Sequence, residues 1–112
     1  MLINCTKNTV IAKQVEIAST FGQRFLGLMG RKYLSLDSCL IITKCNSVHT
    51  CFMHFPLDLV FLNKDNIVIH TIENMLPFRC SSLVKGASTV VELASGKINT
   101  SNIQVGHLLS WS

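Results

Sequence analysis

With 112 residues, 48% of them hydrophobic and only 14% charged, the chain can bury roughly two-thirds of its unfolded surface, and its composition is the reverse of a disordered segment's. Its net charge of +4 comes from basic residues scattered between Lys7 and Lys97 without a block of like charge, a balance that favours solubility over any particular polyanionic partner. Its apolar runs of about four to seven residues fall far short of the roughly 18 needed to cross a bilayer, so no membrane span is expected.

The opening Met1-Leu2-Ile3-Asn4-Cys5 has neither the basic leader nor the apolar stretch of a secretory signal. Five cysteines, Cys5, Cys39, Cys45, Cys51 and Cys80, form no CxxC pair. They are expected to be reduced thiols in a cytoplasmic protein. No linker, repeat or low-complexity stretch interrupts residues 1–112, which are expected to form a single domain.

In chain order, Leu2 to Thr6 and Thr9 to Ile17 are predicted as a first hairpin turning at Lys7-Asn8. Thr20 can cap a helix that ends at Gly30, with Gln23 completing a capping box and Phe21, Phe25, Leu28 and Met29 on one face. Gly22 and Gly27 weaken that helix alone, so it depends on packing against a sheet.

Cys39 to Thr43 and Leu57 to Leu62 are apolar on both faces and belong at the centre of the fold. Asn63-Lys64-Asp65-Asn66 links the second of these to Ile67–Ile72 as a hairpin. Val90–Ala94 and Leu108–Trp111 add two more strands, with turns at Gly96 and Gly106, and Pro56 sits just before a strand. The pattern predicts a mainly β member of the α+β class: a compact antiparallel β-barrel or sandwich-like domain with one or two short helices.

The densest stretch of polar residues runs from Cys45 to Asp58 and leads directly into the apolar run that ends at Leu62. An ionised Asp58 opening that strand costs several kcal/mol to desolvate unless donors satisfy it, so it must have partners. Backbone amides or a hydroxyl such as that of Thr50 would serve, pinning the loop to the strand; a ligand site is the functional alternative. Glu92 alternates with Val91 and Leu93, which reads most simply as a half-exposed sheet face.

Cys45, His49, Cys51 and His54 suggest zinc, but their spacing lacks the usual knuckles, and no metal or other cofactor is expected. Cys51 with His49 as base is equally unpromising, because i and i+2 on a strand lie about 6.6 Å apart. No Walker loop, dinucleotide fingerprint or basic stripe interleaved with aromatics supports a nucleotide or nucleic-acid partner.

Four pieces carry a resemblance: Arg24-Phe25-Leu26-Gly27-Leu28-Met29, Ser47-Val48-His49-Thr50-Cys51-Phe52-Met53, Phe55-Pro56-Leu57-Asp58-Leu59-Val60-Phe61, and Val91-Glu92-Leu93-Ala94-Ser95-Gly96 followed by Val105-Gly106. In this order they resemble the family of domain of unknown function 192 over nearly the whole chain. The resemblance implies a barrel-like, β-rich fold with short helices and no established activity. Two positions depart from it: His54 stands where Arg or Lys is common, and His107 where Asp is common.

The functional expectation is a non-catalytic binding or accessory module for a small molecule or peptide. Its polar groove would be formed by the His49 to Asp58 segment and Glu92, with His49, Thr50, Met53, Asp58 and Glu92 as ligand-binding candidates. Gly27, Pro56, Gly96 and Gly106 have structural roles. The alternatives are a small enzyme using Asp58 or Glu92 with His49 as acid and base, and a protein-interaction domain.

Overall fold

A computed structural model describes residues 1–18, 33–47, 55–77 and 79–112. The expected helix from Thr20 to Gly30, with Gly27, lies outside the described residues. Eight strands and one short helix are described: β1 (Leu2–Asn4), β2 (Thr9–Ala12), β3 (Gln14–Ala18), β4 (Ser38–Thr43), β5 (Leu57–Leu62), β6 (Val68–Met75), β7 (Thr89–Ala94), α1 (Lys97–Thr100) and β8 (Leu109–Trp111).

The strands form a small sheet in the order β2-β1-β8 and a large one in the order β3-β4-β7-β5-β6. The sandwich-like expectation holds, whereas the sheets do not close into a barrel. They are joined at the sides, where Ile67 bridges Leu108 and where the chain passes from β2 to β3 at Lys13.

That passage corrects the first hairpin. The antiparallel pairing is as expected, but the first strand ends at Asn4 and the turn takes the four residues 5–8 before Asn4's partner Thr9, with Asn8 at φ 57°, and Thr9 to Ile17 is two strands rather than one. Asp37 holds the corner: its Oδ1 accepts the Lys13 amide at 3.1 Å and its carbonyl accepts the Gln14 amide at 2.9 Å. Strand β3 then runs parallel to β4, against the expected antiparallel order. The 19 residues between Ala18 and Ser38 leave room for the crossover that a parallel pair requires.

Strands β4, β7 and β5 are central and rich in aliphatic residues because both of their faces are buried. On the inner face, Cys39, Ile41, Val60, Leu62, Val91 and Leu93 pack against Leu2, Ile11, Ala12 and Leu109 of the small sheet. On the outer face, Leu40, Ile42, Leu57, Leu59, Phe61 and Val90 form a second cluster, against which Cys45, Phe55 and Val84 pack. Each fully buried aliphatic or aromatic side chain contributes roughly 1.5–3 kcal/mol. Pro56, half-buried, directly precedes β5, where its missing amide removes no ladder bond.

A buried polar pair ties the small sheet to the loop before β8. Asn4 is fully buried; its Nδ2 donates to His107 Nδ1 at 3.0 Å, and its Oδ1 accepts the Lys7 amide at 3.1 Å. The Gln104 amide donates to the same ring nitrogen at 3.2 Å, so Nδ1 is an acceptor and the ring hydrogen sits on Nε2. His107 thus serves in this chain as the shared acceptor of Asn4 and Gln104. Gly106, at φ 97°, makes the left-handed turn that delivers the ring.

Replacing Asn4 by Ala leaves the Lys7 amide and one His107 bond without their partner. The expected outcome is a loss of about 1–3 kcal/mol in unfolding free energy, measured by urea denaturation.

Candidate functional site

Asp58 is the second residue of β5, and its pairing with Leu93 sets it on the inner face, fully buried. Its Oδ1 accepts the Asn74 amide at 2.8 Å, and its Oδ2 accepts the amides of Gly96 at 3.1 Å and Ile98 at 2.9 Å. Three of the about four acceptor directions of a carboxylate are thereby filled.

The local backbone is shaped for this contact. The pairing of β6 with β5 shifts between Leu57 and Leu59, and Asn74 takes φ 54° within that irregularity, turning its amide out of the ladder. Gly96, at φ 94°, swings the chain from β7 into α1, whose first amides have no intrahelical acceptor. Ser95 Oγ donates to Asn74 Oδ1 at 2.8 Å and joins the same two turns. Asp58 therefore has the backbone donors expected of it, but they come from β6, the turn at Gly96 and α1, and do not tie the loop before β5 to the strand.

Glu92 lies in the middle of β7, paired with Leu40 on one side and Leu59 on the other. It is 5% exposed, which corrects the expectation of a half-exposed face: β7 is buried on both sides because β4 and β5 flank it at the centre of the large sheet. Its register sets it on the outer face. Asp58 and Glu92 thus lie on opposite faces of one sheet and do not share a site.

His49, Thr50 and Met53 lie outside the described residues, as do Cys51 and His54. Cys45 and Phe55 both pack on the outer cluster that contains the neighbours of Glu92. Among the described residues, no three His, Cys, Asp or Glu side chains are grouped to hold a metal ion.

Two features escaped the sequence reading. An open recess of about 140 Å³ is lined by Glu73, Ile98, Asn99, Asn102, Ile103 and Gln104, next to the Asp58 contact. Its clue is the run of amide side chains between Ile98 and Ile103; its volume suits a few waters more than a drug-sized ligand. The other feature is the Asn4–His107 pair, foreshadowed only by an Asn beside the apolar Leu2-Ile3.

Cys39, in β4, carries no nucleophilic chemistry. Burial pushes its thiol up from 9.0 to about 12, opposed by the N-terminal ammonium and reinforced by Glu16. It remains protonated at neutral pH. Brief iodoacetamide treatment of the native protein, followed by peptide mass spectrometry, should modify the exposed Cys5 and Cys80 and leave Cys39 unmodified until urea is added.

An Asp58→Ala substitution strands three amides that have lost a charged acceptor. It should cost about 3–5 kcal/mol in chemical denaturation. A loss below about 1 kcal/mol would contradict the structural role.

Comparison with known proteins agrees with this geometry. The family model described as DUF192, Uncharacterized ACR, matches residues 2–111. A UPF0127 protein of Pyrococcus furiosus is 34% identical over 114 residues, covering 99% of this chain and 97% of the relative. A UPF0127 protein of Thermococcus sibiricus is 33% identical, covering 99% of this chain and 74% of its own length. The crystal structure of a Novosphingobium aromaticivorans protein of unknown function superposes with a TM-score of 0.88 over 98% of this chain and 82% of that one, at 21% identity, which speaks for the fold alone. A Sinorhizobium meliloti structure superposes with a TM-score of 0.80 at 23% identity, over 97% of this chain and 88% of that one. The chain belongs to the DUF192 family of uncharacterised proteins.

Proposed function

We propose that this protein is a non-catalytic binding module of the cytoplasm that holds a small molecule or peptide on the outer face of its large sheet, with Glu92 as the recognising carboxylate. The observation that carries this reading is a single carboxylate centred among Leu40, Leu59 and Val90 on an otherwise apolar, buried face. With about four acceptor directions, a carboxylate can hold a protein donor and a ligand donor together. His49, Thr50 and Met53 are carried into this proposal from the sequence alone.

The split between the carboxylates favours binding over acid–base catalysis. A paired-carboxylate mechanism needs both groups at one substrate, whereas Asp58 points to the other side of the sheet with its oxygens committed to backbone amides. Asp58 serves the site indirectly, by fixing the ends of β5, β6 and β7. The ligand implied by a buried carboxylate on a greasy floor carries a cationic or hydroxyl donor on an apolar body. For location, the odd cysteine count favours a reducing compartment. No helix among the described residues is long and apolar enough to cross a membrane.

A thermal-shift panel of amines, amino alcohols and short basic peptides tests the reading. At least one compound should raise Tm, and Glu92→Gln should reduce its affinity roughly tenfold to a hundredfold, the loss expected for a charged hydrogen bond. Undiminished affinity in the variant, or no stabilisation across the panel, would contradict it.

A further inference from the structure

We propose that one end of the sandwich docks on an anionic lipid bilayer. The pairing of the strands gathers five chain segments there. Thr43 and Leu62 both pair with Thr89, so the exit of β4, the β5–β6 loop and the entry to β7 share one end of the large sheet. The Leu109 amide donates to the Asn66 carbonyl and the Cys5 amide to the Leu108 carbonyl, which brings the loop before β8 and the β1–β2 turn to the same end.

Each of these segments contributes a cation or an exposed aliphatic side chain. Lys7, Lys44, Lys64 and Lys85 are all exposed here, against Asp65 as the one acid that the described parts of these segments carry. Lys13 and Lys97 lie at the opposite end, with Asp37, Asp58 and Glu73. Of the six lysines among the described residues, four therefore stand at one pole.

Between the lysines stand Leu83, Val105 and Leu108, which are 73%, 63% and 41% exposed. The platform is stiff: Asn63 Oδ1 accepts the amides of Asp65 and Ile67 at 2.9 and 3.0 Å, and the Val84 amide is held by the Asn46 carbonyl at 2.9 Å. Lysines around aliphatic tips are the chemistry that anionic bilayers select, the ammonium groups meeting headgroups and the apolar tips entering the acyl boundary. Nucleic acid fits less well, because the side chains exposed between these lysines are aliphatic and offer no stacking surface.

The test is flotation of the full chain with equimolar phosphatidylcholine–phosphatidylglycerol vesicles and with pure phosphatidylcholine vesicles. Binding is expected only to the anionic vesicles and should weaken as salt rises. Lys44→Gln with Lys64→Gln should lower partitioning about fivefold per lysine. Lys13→Gln with Lys97→Gln, which changes net charge equally, should lower it far less, and Leu83→Ser should lower it without any change in charge. Circular dichroism checks that each variant is folded. Equal losses in the two lysine pairs, no binding to anionic vesicles, or preferential binding to an oligonucleotide or to poly-glutamate would overturn the proposal.

Discussion

A single carboxylate organises one end of this fold. Asp58 is fully buried at the start of a strand that is apolar everywhere else, and it is tolerable there because three backbone amides replace the water it has lost. Those amides belong to the irregular end of β6, to the turn after β7 and to the first turn of α1. The interaction thus joins three elements that hydrophobic packing alone would hold loosely, since packing is non-directional and hydrogen bonds are not.

The consequences for function follow from the parity of strand residues. Alternate side chains point to opposite faces, so the register that pairs Asp58 with Leu93 and Leu59 with Glu92 separates the two carboxylates by the thickness of the sheet. One becomes a structural fixture of the interior between the sheets. The other stays on the outer face beside Leu40 and Leu59, where the proposed ligand would find a directional contact on an apolar floor. A one-residue slip would exchange these roles, and the bulge between Leu57 and Leu59 lies on β6, leaving the pairing of β5 with β7 regular.

Much of this was legible in the sequence and some could not have been. The runs Cys39–Thr43 and Leu57–Leu62 announced central strands because unbroken aliphatic stretches occur where both faces are buried. The need of Asp58 for donors followed from desolvation alone, but their identity did not, because Asn74, Gly96 and Ile98 lie 16, 38 and 40 residues away. The break at Lys13 was invisible: β-branched residues continue on both sides, and the corner is made by Asp37 from another part of the chain. Glu92 was misjudged for a related reason, since alternation reports polarity and not burial, and only strand order makes β7 central. The role of His107 as a partner of Asn4, 103 residues away in the sequence, required coordinates.

The most direct measurement of the central claim is native-state hydrogen exchange, followed residue by residue by NMR. The amides of Asn74, Gly96 and Ile98 should exchange slowly in the wild-type protein, although Gly96 lies in a turn and Ile98 in the first turn of a four-residue helix, and all three should lose protection together in Asp58→Asn while the amides of β4 and β7 retain theirs. Rapid exchange of the three amides in the wild-type protein, at the rate of ordinary exposed loops, would contradict the account.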